Sequence, residues 1–370
     1  MIKHSVYGFL LTKRKSNIRD EGIFSLGSAL QKLVNINCLE LNLNYNFIGS
    51  CGAYIITSAL ANNTKIYSLG LSFIENKITD ETLFALGTTL LECKYIYSLR
   101  LFLGDNRICQ IGAYNLGLGL AKIPNLKILK LTLRDNQIVS KGIQDLVQAL
   151  QQCSQLLNLE LILWNGQILN TQEKIIKFSS QLAKCTEIQT LILNSGWKTL
   201  LGENIKLLVD DLPEFKNLNC LQFNLIQSHL HQLGAQALAC YLKKQLKLTK
   251  LELILSGNEI QEIGASELFQ AIGTIKTIQQ LEISVGQNNI KNEGVVALNK
   301  TLCLLSNTLK VLTVQLDFNQ KSDEGAIKLG KALSKCQNLT HLEIDLSENQ
   351  ISDIGISSLS LGFSNCSQIV

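Results

Sequence analysis

The chain has 370 residues, 46% of them hydrophobic, and a formal net charge of +4. So weak and scattered a charge, with a pI of about 8.4, argues against a nucleic-acid surface, and an aromatic share of 6% argues against a stacking platform for single strands. Every apolar run is broken by polar residues within a few positions, so no membrane span is expected.

Met1 is followed by Ile-Lys-His-Ser, a short apolar run over Val6 to Leu11, and Lys13-Arg14-Lys15. A secretory signal needs a longer apolar stretch and a small-residue cleavage site. Phe9 and Leu11 are therefore read as a first strand. Lys13-Arg14-Lys15 and Lys243-Lys244 are the densest basic runs and read as solvated loop or helix ends.

From there one sentence recurs almost end to end. Its clearest copy is Leu251-x-Leu253-x-Leu255-x-x-Asn258-x-Ile260, then Gly264, Leu268 and Ile272. Aligned on its Asn slot, it places Ser16, Asn46, Asn76, Asn106, Asn136, Gly166, Lys198, Ser228, Asn258, Asn288, Asn319 and Asn349 in twelve units. The step is 30 residues, except for a two-residue insertion around Asn170 and one extra residue before Asn319. So regular a period marks a solenoid, here a single array over 1–370 with degenerate central units at about 159–230.

Each unit opens with alternation, as in Leu39-Glu40-Leu41-Asn42-Leu43, which predicts a short strand. A polar residue then precedes the next apolar rhythm, at Asp20, Ser50, Asp80, Ser140, Asn292, Asp323 and Asp353. These side chains are expected to accept from the unpaired N–H groups that open the helix. The following stripe, for example Gly142, Leu146 and Leu150, has a period near 3.6 and predicts an amphipathic helix.

No unit can bury its strand face and helix stripe alone, so parallel strands should stack on one side and bulkier helices on the other, and the stack should curve. The Asn amide both donates and accepts, which suits backbone groups that a bend removes from any ladder. The glycine six residues later, as at Gly52, Gly112, Gly264 and Gly355, is expected to let neighbouring backbones approach; a left-handed turn is the alternative.

Leu-x-Leu-x-Leu-x-x-Asn-x-Ile followed by Gly-Ala-x-x-Leu-x-x-Ala-Leu resembles the long leucine-rich repeat of the ribonuclease-inhibitor type. Ran GTPase-activating proteins and the ligand-sensing arrays of innate immune receptors share it. The resemblance covers roughly residues 7–370. It implies an α/β horseshoe that binds proteins, with strands on the concave face and helices on the convex face, and names no partner.

Eleven cysteines could suggest a disulfide scaffold. Cys93, Cys153, Cys185, Cys336 and Cys366, however, share one slot near the helix ends, as small buried groups would. Without a Cys-x-x-Cys pair, neither disulfides nor zinc is expected, and a cytoplasmic setting is. His229-x-His231 lacks a third ligand at useful spacing. There is no Gly-x-x-x-x-Gly-Lys, nucleophile elbow or kinase loop, and Gly117-x-Gly119 belongs to a helix. No catalytic residue, cofactor or metal is predicted.

What remains is one coherent surface. The residues six and four before the Asn slot should line the concave face, among them Arg100 and Phe102, Lys130 and Thr132, Glu160 and Ile162, Ile192 and Asn194. Arg100 and Lys130 lie in the first half, whereas Glu252, Glu282, Glu343 and Asp345 form an acidic stripe in the last third, suited to a partner with a basic patch. The two tryptophans, Trp164 and Trp197, fall in loops leaving the degenerate strands, with Ile162 and Ile192 nearby. Together they suggest an apolar anchor for a protein partner.

The chain begins inside a strand and stops before another, so both ends read as uncapped, covered by a partner or copy or continued in a longer chain. The expected function is a non-enzymatic scaffold or adaptor in a larger, cytoskeletal or ciliary, assembly. The resemblance offers three alternatives: a regulator of a small GTPase, with Arg100 and Arg134 as candidate contacts; the regulatory half of a kinase-containing chain; and a ubiquitin-ligase substrate receptor.

Overall fold

Residues 8–12, 16–33, 35–61, 63, 65–163, 171–194, 202–319, 322–364, 366 and 368–369 are described by a computed structural model. The chain divides into two compact units, Met1–Ile168 with Ser180–Ile188, and Leu169–Ser179 with Gln189–Val370.

In the first unit the strands are β1 (Gly8–Thr12), β2 (Cys38–Asn42), β3 (Ser68–Ser72), β4 (Ser98–Phe102), β5 (Ile128–Thr132) and β6 (Asn158–Ile162). They pair in sequence order, all parallel. Between them run α1 (Asp20–Lys32), α2 (Ser50–Leu60), α3 (Asp80–Glu92), α4 (Gln110–Leu120) and α5 (Ser140–Leu150); α6 (Gln172–Leu182) follows β6 and is divided between the two units after Ser179.

The second unit repeats the plan. Its strands β7 (Thr190–Asn194), β8 (Cys220–Asn224), β9 (Lys250–Ile254), β10 (Gln280–Ser284), β11 (Val311–Gln315) and β12 (His341–Asp345) are also parallel and in order. Its helices are α7 (Gly202–Asp210), α8 (His231–Leu242), α9 (Gln261–Thr274), α10 (Lys291–Leu305), α11 (Asp323–Leu333) and α12 (Asp353–Phe363). The extra residue before Asn319 is absorbed in α10, at 15 residues the longest of the helices among the described residues.

The alternation decides the register. Leu39, Leu41, Leu251 and Leu253 are buried between sheet and helices, while Glu40 and Asn42 stay partly exposed on the other face. A parallel sheet leaves no slack here, because a slip of one residue would turn every leucine to solvent.

Beyond each strand the Asn slot stitches one unit to the one before it. Asn106 Oδ1 accepts the Ile78 N–H at 2.9 Å, and its Nδ2 donates to the carbonyls of Phe73, Leu103 and Gly104 at 2.8, 3.1 and 2.9 Å. Asn136, Asn258, Asn288 and Asn319 make the same kinds of bond, so the amide supplies both halves of what the bend leaves unpaired. The residue just before the Asn slot, which is Ser228 in one repeat, takes a left-handed backbone at Tyr45, Glu75, Asp105, Asp135, Gln227, Gln287, Phe318 and Glu348. Among the described residues, Gly257 is the one glycine at that position with positive φ.

The slot glycines do not serve a left-handed turn. They serve close approach: a Cβ at Gly52, Gly112 or Gly355 would overlap the carboxylate of Asp20, Asp80 or Asp323 from the preceding unit. This corrects the expected capping. Asp20, Asp80 and Asp323 are the first residues of their helices, and their Oδ1 atoms accept from Gly49, Cys109 and Ser352 N–H at 2.8, 2.7 and 2.7 Å. Each thus caps the start of the next helix. Among the described helices with an N-cap assignment, only α12 has a side-chain cap of its own, Ser352 accepting from Ile354 N–H at 3.3 Å.

Candidate protein-binding surface

In each unit the outward face of the strands is a set of columns one residue wide. In the first unit the residue six before the Asn slot gives the column Glu40, Gly70, Arg100, Lys130, Glu160, and the next gives Asn42, Ser72, Phe102, Thr132, Ile162. Its charges cancel in pairs. Arg100 Nη2 meets Glu40 Oε2 at 2.6 Å, and Lys130 Nζ meets Glu160 Oε2 at 2.7 Å. Arg134, in the loop after β5, meets Asp105 at 2.8 Å and Asp135 at 3.5 Å.

The second unit is different. Its columns read Ile192, Gln222, Glu252, Glu282, Thr313, Glu343 and Asn194, Asn224, Ile254, Ser284, Gln315, Asp345. Glu252 and Glu282 are register neighbours, Thr313 interrupts, and Glu343 follows. One cation answers them: Lys250 Nζ lies 3.6 Å from Glu252 Oε2. Neither Glu282 nor Glu343 enters an ion pair among the described residues.

This crowding shows in the acids themselves. Glu252 is 8% exposed, and burial, reinforced by the Glu282 charge, pushes its carboxyl above the usual range against the pull of Lys250. Asp345 goes the other way, because the Ser347 hydroxyl and N–H hydrogen-bond its ionised form. The Glu282 and Glu343 carboxylates thus stand on this face without an ion-pair partner among the described residues.

Of the residues singled out by sequence, Phe102, Ile162 and Ile192 are partly exposed on outward columns, each within its own unit. Trp164 and Trp197 lie outside the described residues. Arg100 and Lys130 face outward but are held in ion pairs, which the strand pattern could not reveal because the partners sit one or two strands away.

The slot cysteines are buried and unlinked. Cys153 and Cys366 Sγ each point to the carbonyl 33 residues earlier, Leu120 and Leu333, at 3.4 Å. Burial raises the thiols of Cys93 and Cys185 to about 11 and those of Cys153 and Cys336 to about 12, far from nucleophilic thiolates. Among the described residues no group of three His, Cys, Asp or Glu could hold a metal ion. Nor is any described helix long and apolar enough to cross a membrane.

Residues 335–360, which begin just after α11 and span β12 and most of α12, match the family model described as Leucine Rich repeat. Parallel strands, alternating helices and the Asn ladder extend that repeat through both units. The chain is built of leucine-rich repeats, and its fold is the solenoid of that class. The ribonuclease-inhibitor subtype stays a resemblance of repeat sequence.

Solved structures similar to it include an internalin (inlF) from Listeria monocytogenes, at 20% identity and TM-score 0.46, covering 90% of this chain and 80% of that one. Another is the yeast Rad7 and Elc1 complex, at 16% identity and TM-score 0.46, covering 91% and 84%. A third, LegL7 from Legionella pneumophila, has 18% identity and TM-score 0.41 and covers 97% of each chain. The search of curated proteins gave no match.

Proposed function

We propose that this protein is a non-enzymatic interaction scaffold whose second unit receives a basic surface of a protein partner on the outward face of β9 to β12. The carrying observation is the Glu252, Glu282 and Glu343 column, answered by Lys250 alone among the described residues. Holding uncompensated like charges on neighbouring strands costs stability. A basic partner would offset that cost and gain on-rate from the field.

Phe102 and Ile162 on the first unit and Ile192 on the second are apolar contacts in this reading. Trp164 and Trp197 enter it on sequence grounds, as rigid aromatic anchors. The GTPase alternative is weakened because Arg100 and Arg134 are both engaged in ion pairs at 2.6–2.8 Å. An arginine already neutralised has less to offer a phosphate.

Cross-linking mass spectrometry on the native protein tests this. Cross-links from one stoichiometric partner should concentrate on Lys250 and Lys310, which flank the outward face of the second unit. Cross-links confined to the helices, or faster hydrolysis by a small GTPase on adding the protein, would overturn it. The partner's identity also decides whether the assembly is cytoskeletal or ciliary.

A further inference from the structure

The charges of the second unit are sorted along each repeat. From Glu252 onward, acids fall between the third residue of a strand and the opening turn of the next helix, over Glu252 to Glu262, Glu282 to Glu293, Asp317 to Glu324 and Glu343 to Asp353. The one acid deeper in a helix, Glu267, accepts a hydrogen bond from Gln236 at 2.8 Å.

The opposite edge holds none. The connections that lead from α8, α9, α10 and α11 to β9 to β12 are residues 243–249, 275–279, 306–310 and 334–340. They contain no acid and six lysines, Lys243, Lys244, Lys247, Lys276, Lys310 and Lys335. All six are exposed, and none enters an ion pair among the described residues. Lys331, in the last turn of α11, adds to them. In the preceding connection exposed Asp211 and Glu214 accompany Lys216, so the row begins after α8.

Two of the six reach backbone. Lys276 Nζ donates to the Gly273 carbonyl at 2.7 Å and Lys247 Nζ to that of Lys216 at 2.8 Å. Neighbouring strands stand about 4.8 Å apart and packed helices about 8–10 Å, so six positive charges gather along roughly 15–30 Å of one edge. Glu252, Glu282 and Glu343 stand third in their strands and face outward, roughly 10 Å of chain beyond the connections. That exceeds a Debye length of about 8 Å at physiological salt, so an approach from the edge meets lysine first.

The composition of the edge selects among polyanions. Arginine, whose planar fork reads single phosphates and carboxylates, is absent from the whole second unit. No aromatic residue stands in the four connections to stack on bases. Instead Leu246, 54% exposed, sits between Lys244 and Lys247, and Leu304, 55% exposed, closes α10 just before the next connection. Diffuse lysine charge answers a surface potential, and an exposed leucine among lysines enters the headgroup boundary.

We infer that this lysine edge of the second unit docks on the surface of a bilayer rich in anionic lipid headgroups. The acidic strand face then stays open to a protein partner, which would be gathered at a membrane. The inference stands whether or not that face binds a basic protein, because its readout needs no partner.

Co-sedimentation of the full chain with vesicles tests it. At physiological salt the protein should bind phosphatidylcholine vesicles containing phosphatidylserine and not phosphatidylcholine alone, and high salt should release it. Lys244→Glu with Lys247→Glu and, independently, Lys310→Glu with Lys335→Glu should weaken binding at least tenfold, with unchanged far-ultraviolet circular dichroism. Leu246→Ser should weaken it without altering its salt dependence, and Lys291→Glu, at the start of α10 on the other edge, should leave it nearly unchanged. No binding to the anionic vesicles, equal binding to the neutral ones, or binding indifferent to both double reversals would overturn the inference. So would tighter binding, at the same salt, to a DNA duplex or to polyglutamate than to the vesicles.

Discussion

Arg100 and Glu40, 60 residues apart in sequence, meet at 2.6 Å across the bare backbone of Gly70. Gly70 lies between them in register, and a Cβ there would overlap the Glu40 carboxylate. The glycine is thus a gap through which two strands that do not touch exchange charge.

Gly70→Ala should therefore destabilise the protein only while Glu40 is present. In a Glu40→Ala background the same change should be neutral or stabilising, as for alanine replacing glycine in a strand. A double-mutant cycle by thermal unfolding should return a coupling of about 0.5–1 kcal/mol, the upper range for half-exposed pairs. Zero coupling would show that the pair and the gap are unrelated.

Asn106 makes one accepting and three donating contacts. Asn106→Ala should cost roughly 2–4 kcal/mol, since each buried group left unpaired costs about 1–3 kcal/mol. Asn106→Asp should be nearly as costly despite its shape, because a carboxylate cannot donate to carbonyls. Chemical denaturation checks both.

Glu75 is exposed at φ 52°. Glu75→Gly should stabilise by about 0.5–1 kcal/mol, because the left-handed backbone costs a side-chain-bearing residue roughly 1–2 kcal/mol and glycine returns part of that as unfolded-state entropy. Glu75→Val should destabilise, the β-branched side chain fitting that backbone worst. The opposite order would contradict the assigned turn.

The strand register, the Asn job and the buried cysteine slot were legible because each repeats at a fixed step with one residue type in many units. The left-handed position was not, because Tyr45, Glu75, Gln227 and Phe318 share no chemistry and a glycine stands there at Gly257 but in none of these. The capping residues were recognised by type but given to the wrong helix, since a sequence does not say that Asp80 reaches Cys109 rather than its own turn. The lysine edge of the second unit had a visible signal in its four acid-free connections. Ion pairs such as that of Arg100 and Glu40 left none, because pairing across strands depends on side-chain reach.

Two acids should respond to pH with opposite signs. Glu252 has a raised folded-state value, so the folded protein holds its proton more tightly; stability from it is full in acid and falls as pH rises through the window above the ordinary carboxylate value. Glu252→Gln should then raise the melting temperature at neutral pH and lose that advantage in acid. Asp323, lowered by the Ser352 hydroxyl and N–H and by the Gly355 N–H, contributes above the ordinary value and loses its contribution as pH falls through the folded-state value. Asp323→Asn should lower the melting temperature at neutral pH and converge on wild type in strong acid.

The core and the outward face must separate cleanly. Leu253, fully buried, should cost about 2–5 kcal/mol when changed to alanine. Glu282→Ala, on the adjacent strand opposite Glu252 and facing outward, should be neutral or slightly stabilising once the repulsion of Glu252 is relieved. Equal losses would refute the register.

The most direct measurement is quantitative affinity purification of the tagged protein from its own cells, wild type beside Glu282→Lys with Glu343→Lys. The account predicts one stoichiometric, basic protein partner with the wild type and at least tenfold less with the reversal, about 1.4 kcal/mol of binding. The reversed form should melt at least as high as the wild type, since the repulsion on Glu252 is relieved. Undiminished recovery of that partner by the reversed protein would contradict a binding role for the acidic strand face.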